Sequence, residues 1–401
     1  MKETEKKDKT IRKTDEKAGG HLVLFVRRNA VYIGVFLIGA AFLLAAGSFD
    51  WDRINSYTMY NNDSRTFVRG RVVSVDNERL ETDPYDHSRY LGEQELTVLI
   101  LDGEQKGDKV SIDNYLSQTH NIYVNANQKI IVCADMPEEA APYYTVFNYD
   151  RCLPLGILVV VFAAVMLFVG KGKGLRALAG VVFTLLVVLF MVQAIYHGFP
   201  PVIVSILTIL TGTAVSLLLL NGCSRRTAVS ALSTVLGVAV TGIIFYISSK
   251  TLHLTGFNSD NAEELLVIQG ATGLSVRSLL IAGVLVSSLG AVMDVAVSLT
   301  AALMELVAVD SSVTAGQVMK SGFNIGKDMI GTMSNTLILA FAGTALNTML
   351  VLTAYGVSRT QFISSDYLAI ELAQGLCATI GVILTVPITT GICAAMRISH
   401  R

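Results

Sequence analysis

"GAVMDVAVSLTAALMEL", residues 290–306, decides how the rest of the chain is read. The run is apolar enough for a membrane helix, yet it carries Asp294 among Met, Val and Ala, and Glu305 eleven residues later. A carboxylate at bilayer depth costs at least a few kcal/mol, so such acids face bundle interiors, water-filled cavities or ion paths. On an α-helix, Ser287, Asp294, Ser298 and Glu305 are separated by steps of seven, four and seven and share one face. The two acids stand roughly 16 Å apart along the axis. Asp294 is expected inside the membrane, and Glu305 where the helix meets the cytoplasm.

The composition agrees with a membrane reading. The chain has 401 residues, 52% hydrophobic and 16% charged, with a mean hydropathy of +0.54. Those values describe a polytopic membrane protein with some soluble mass. A net charge of −1 gives no reason to expect a nucleic-acid partner. Five cysteines (Cys133, Cys152, Cys223, Cys377 and Cys393) form no CxxC or Cys/His cluster, so no metal site or cofactor is expected. Cys133 and Cys152 are the two expected outside the membrane, where they either pair or act as small apolar residues.

Residues 1–29 read as a charged, disordered cytoplasmic tail. Residues 30–47 read as a first transmembrane helix; the apolar run is long for a signal peptide, which favours an uncleaved anchor. Residues 48–152 change character. "RGRVVSV", "ELTVLIL", "KVSIDN", "QKIIVCA" and "YYTVFNYD" alternate or carry β-branched residues, and Gly, Asp and Asn separate them. This predicts a small extracytoplasmic β domain, barrel or OB-like. Residues 153–396 then predict a seven-helix membrane domain, with spans near 153–170, 177–196, 201–220, 227–248, 279–304, 330–354 and 371–394. Residues 397–401 form a second cytoplasmic tail. The expected fold is therefore mainly α: a polytopic bundle of eight transmembrane helices with an inserted β domain.

Lys and Arg orient it. With the N-terminus cytoplasmic, the short inner segments hold eighteen of them and the short outer loops only Lys250, Arg277 and Arg359. Both termini are expected inside and the β domain outside. The outer loop 255–278 is long; Asp260, with Glu263 and Glu264 behind it, predicts a short helix on the outer face.

The seventh span repeats the pattern of the sixth. "GFNIGKDMIGTMSNTLILAFAG", residues 322–343, puts Asn324, Asp328, Gly331 and Asn335 on one face at steps of four, three and four. Asn335 is expected at the depth of Asp294, with Asp328 and Glu305 below. The expected feature is a polar seam between the two helices, lined by Asp294, Asn335, Asp328, Ser298, Glu305 and Asn324. A protonatable acid on such a seam is what a proton- or cation-coupled transporter needs. The plainer reading has Asp294 bonded to Asn335 or Thr336, ordering the bundle. Glu371 and Gln374 stand one turn apart in the eighth span, and Pro387 interrupts its end. HExxH, GxGD, GxSxG and GxxxxGK[ST] do not occur, so no enzyme activity is expected.

"LGAVMDVAVSL" (289–299) and "SGFNIGKDMIGTMSNTLILAFAG" (321–343) resemble the signature segments of the YibE/F-like family of bacterial multi-pass membrane proteins. The "DGEQKG" turn and the "LHLTG" segment add to the likeness, which covers nearly the whole chain after residue 25. The resemblance implies this architecture and a bacterial plasma membrane, Gram-positive in setting. It places Asp294, Asn324, Asp328 and Asn335 at the family's polar positions. It also implies a paralogous membrane subunit as a partner, beside the alternatives of a homo-oligomer, the lipid bilayer and an unknown small solute or ion. The functional expectation is a secondary transporter or permease. The alternative is a non-transporting assembly or receptor subunit that binds a partner through its outer β domain.

Overall fold

The computed structural model describes residues 65–137, 141–257 and 262–398. The predicted first helix at 30–47 and the N-terminal tail lie outside the described residues. The chain divides into two compact units, one over Ser48–Phe168 and one formed by the rest.

The first unit is built on β1 (Arg65–Thr82), β2 (Tyr90–Ile100), β3 (Lys109–Leu116), β4 (Lys129–Asp135) and β5 (Tyr143–Tyr149). They form one antiparallel sheet in the order β3-β2-β1-β4-β5. Period-two alternation turns Val68, Val72, Leu96, Val98, Ile112, Ile130 and Val132 to one buried face. The edge strands β3 and β5 come against each other without pairing, so the sheet curls into a half-barrel. Gly70 permits that curl: a Cβ there would sit 2.6 Å from Val98 and 2.9 Å from Val132.

Two bulges bend β1, between Val72 and Ser74 and between Val75 and Asn77. Asp76 is the extra residue of the second. Its carboxylate accepts from Ser74 Oγ at 2.7 Å and from Thr97 Oγ1 on β2 at 2.6 Å. The two hydroxyls, Thr97 foremost, hold that carboxyl below its ordinary value. A depressed carboxylate stabilises the fold at neutral pH and loses that contribution as pH falls through the folded value.

Inside the half-barrel, Gln94 and Asn114 are buried amides. Asn114 Nδ2 donates to Gln94 Oε1 at 3.2 Å and to Ile122 O at 2.9 Å. Gln94 Nε2 donates to Val124 O at 3.0 Å, and its oxygen accepts from Val124 N at 3.1 Å. The pair thus fastens the loop between β3 and β4 over the core. Breaking it strands buried polar groups, at about 1–3 kcal/mol. N114L is expected to open the Ser117–Gln128 loop to protease at lower temperature in the full chain. An unchanged cleavage profile would contradict that role.

The helical unit differs in detail from the predicted spans. The spans at 153–170 and 177–196 correspond to two helical segments, together labelled α1 (Cys152–Tyr196), that meet at a kink at Lys171, where φ is 47° and ψ is −129°. α2 is Pro201–Asn221, α3 Arg225–Thr251, α4 Ala262–Thr272 and α5 Val276–Val309. α4 is the short helix expected in the 255–278 loop; Asp260, its expected cap, lies outside the described residues. α6 (Ala315–Thr344) starts at a Thr314/Gln317 capping box, fifteen residues before the predicted span. α7 (Leu346–Ala354) follows after a 52° bend. A short α8 (Arg359–Ile363) leads to α9 (Asp366–Ile398), which runs through Pro387 as one helix. Among the described residues, five helices are long and apolar enough to cross a membrane, or six if the bent α6–α7 pair is one span.

Helices α3, α5, α6 and α9 pack through glycine. A Cβ at Gly237 would strike Thr385, and one at Gly381 would strike Thr241, so α3 and α9 run antiparallel with their backbones close. A Cβ at Gly322 would strike Thr390, and one at Gly326 would strike Val386, which seats α6 on the same helix. Gly242 receives Leu285 of α5. Small residues permit this where lipid removes the hydrophobic drive between helices. G381V is expected to destabilise the bundle by about 1–3 kcal/mol through overpacking, read as a lower melting temperature in detergent; G391V, where the added group has open space, is the control.

Candidate functional site

Helix α5 is two-sided. Val284, Leu285, Ser288, Val292, Val295, Ala296, Leu299 and Leu303 are buried. Gly283, Ser287, Gly290, Asp294, Ser298 and Glu305 are exposed on the opposite side. The stripe inferred from residue spacing is therefore an open face of the helix, made of small side chains around Asp294, with Glu305 toward its end.

Helix α6 is divided in the same way. Val318, Gly322 and Gly326 are buried toward α9. Asn324, Asp328, Gly331 and Asn335 are exposed. Helices α5 and α6 are joined through a turn at Asp310–Ser312, where Asp310 accepts from Ser312 N at 2.8 Å, and α6 lies mainly against α9.

Among the described residues, no hydrogen bond or ion pair joins Asp294 to Asn335 or Thr336. Thr336 Oγ1 instead donates to Thr332 O at 3.0 Å. Ser287 Oγ donates to Val284 O at 3.1 Å, within its own helix. Glu305 has a partner that sequence reasoning missed: Arg226 Nη2 at 3.6 Å. That pair joins the start of α3 to the end of α5. With Glu305 71% exposed, it is worth at most about 1 kcal/mol.

Chain position alone also concealed a cavity of about 230 Å³ at the other end of the bundle. It lies where α6 breaks into α7, between Thr344, Thr348, Tyr367, Glu371 and Gln374, with Leu280 of α5 on the remaining side. The one-turn spacing of Glu371 and Gln374 was legible. The break that opens space beside them was not.

Residues 158–399 match the model of the YibE/F-like protein family, and residues 66–146 match the YibE/F family N-terminal domain. The chain belongs to the YibE/F-like family. No curated protein and no solved structure matches it. The YibE/F-like match takes in both polar faces and the cavity; the N-terminal match falls on the half-barrel. No group of three or more His, Cys, Asp or Glu side chains able to hold a metal occurs among the described residues. Cys133 and Cys152 remain separate thiols. Burial pushes the Cys133 thiol up, which leaves little reactive thiolate at neutral pH.

Proposed function

We propose that the chain is a secondary transporter or permease of the plasma membrane, coupled to protons or cations, whose path follows the open faces of α5 and α6. One observation carries this reading. Asp294 lies mid-helix on an exposed face of α5, with Asn324, Asp328 and Asn335 on an exposed face of α6. A carboxylate is not stable against acyl chains, so such a face fronts water or a second polar surface. Asp294 is the coupling group, alternately charged and neutral, and the amides of Asn324 and Asn335 are the neutral ligands beside the path. Ser287 and Ser298 keep the α5 face narrow and hydrated.

The arrangement in the membrane follows from charge. Both termini are cytoplasmic, and the half-barrel faces outward. Counting the two segments of α1 separately and adding the span predicted from sequence at 30–47 gives eight crossings.

D294N is expected to lower pH- or sodium-driven flux in reconstituted vesicles at least tenfold, with protein yield and melting temperature kept. The measurement is internal pH, followed by a trapped dye under an imposed gradient. Flux equal to that of the native chain would remove the mechanism.

A second reading, an assembly or receptor subunit, is favoured by the half-barrel surface. Phe67 and Phe147 are 48% and 51% exposed, with ring centroids 4.8 Å apart. Exposed paired aromatics are typical of protein-binding patches. On this reading, F67A/F147A releases a co-purifying partner while vesicle flux is absent in both native and variant chains.

A further inference from the structure

We infer that the groove between α2, α3 and α5 holds one acyl chain of an anionic phospholipid, whose phosphate is met by Lys250 and Arg277. The inference needs only that these helices sit in a bilayer. It does not rest on the transport reading or on which end faces the cytoplasm.

A groove of about 500 Å³ runs along the three helices. α3 lines it from Val235 to Tyr246, α2 from Val202 to Leu210, and α5 from Ser278 to Leu285, each at helical spacing along one stripe. The α3 stripe covers roughly 16 Å of helix axis, which leaves a mean cross-section of roughly 30 Å². A helix with its side chains is about 10–12 Å across and would need more than twice that area. A single methylene chain fits. Val238, Ile209 and Leu285 are buried at the floor, whereas Ile206 and Ile243 are exposed at the rims. The groove is thus a trough along the side of three helices that are each long and apolar enough to cross a membrane, where an acyl chain can enter sideways.

Polarity is confined to one end of the trough. Tyr246 and Ser278 are the only lining residues with polar side chains, and both stand where α3 ends and α5 begins. Lys250, one turn beyond Tyr246, holds its ammonium 4.6 Å from the centroid of the Tyr246 ring. Arg277 precedes Ser278, and its Nε donates to Leu254 O at 3.1 Å, which draws the guanidinium toward the same end of α3. Among the described residues, neither cation takes part in an ion pair.

This order of groups matches a phospholipid from tail to head. Tyrosine suits the boundary between acyl chains and headgroups, with its ring in apolar surroundings and its hydroxyl wet. A lysine stem lies along apolar surface while its ammonium reaches the headgroup level. Two cations at that level favour an anionic headgroup over a zwitterionic one. A zwitterionic lipid can fill the trough but carries no net charge for Lys250 and Arg277 to meet.

The test is native mass spectrometry of the delipidated full-length chain in detergent, with phosphatidylglycerol and phosphatidylcholine of matched acyl chains as probes. One tightly held phosphatidylglycerol is expected, bound at least tenfold better than phosphatidylcholine. K250Q/R277Q is expected to bring the preference below about twofold. A239W, which fills the trough from an exposed position of α3, is expected to remove the tightly held lipid, whereas L339W on the exposed side of α6 keeps it. Equal binding of the two lipids by the native chain overturns the inference, as does phosphatidylglycerol binding untouched by K250Q/R277Q and A239W. A photo-crosslinker at position 239 that captures residues 30–47 instead of added lipid overturns it in favour of the chain's own apolar segment.

Discussion

The close approach of α9 to α3 and α6 is the contact on which the helical unit depends. Gly237 and Gly381 lie opposite Thr385 and Thr241, and Gly322 and Gly326 lie beneath Thr390 and Val386. No position in these pairs has room for a larger side chain without moving a helix. Because the glycine face of α6 is committed to α9, the face bearing Asn324, Asp328 and Asn335 must turn away. The polar face is thus a by-product of where the small residues are, and its openness follows from packing on the far side.

The same contact shapes the far end of α6. Gly375 of α9 lies opposite Phe341 at ordinary van der Waals distance, and α6 breaks one turn after Phe341, beside the cavity. Glu371 and Gln374 thereby gain a wall opposite them. The opposite end of the bundle is held differently, by the exposed Arg226–Glu305 pair, whose small energy makes it a guide to register more than a source of stability. The half-barrel has its own constraint: the buried Gln94–Asn114 pair, which replaces apolar packing with directional bonds and so fixes one loop over an otherwise Val- and Ile-rich core.

Much of this was legible beforehand because it depends on local periodicity. Period two in "ELTVLIL" gave strand β2, and long apolar runs gave helices. Steps of four, three and seven placed Asp294 with Ser298, and Asn324 with Asn335. Boundaries were less legible. "KGKGLR" marks the break between the two segments of α1, but the departure from helical geometry falls on Lys171 rather than over the whole stretch. The 330 start for the seventh span missed half of α6, because Asn324, Lys327 and Asp328 lower its hydropathy without opposing helix formation.

The sequence by itself determined the long apolar helices, the β domain ahead of them, the family segments and the membership of each polar stripe. These need only the chemistry of a residue and its distance along the chain. Tertiary structure alone decided which helix each stripe turns away from, that Glu305 meets Arg226, and that α6 breaks at Ala345 to open a cavity beside Glu371. Each of those depends on residues far apart in the chain meeting in space, and glycine, the residue that brings them together, carries no side chain to advertise its partner.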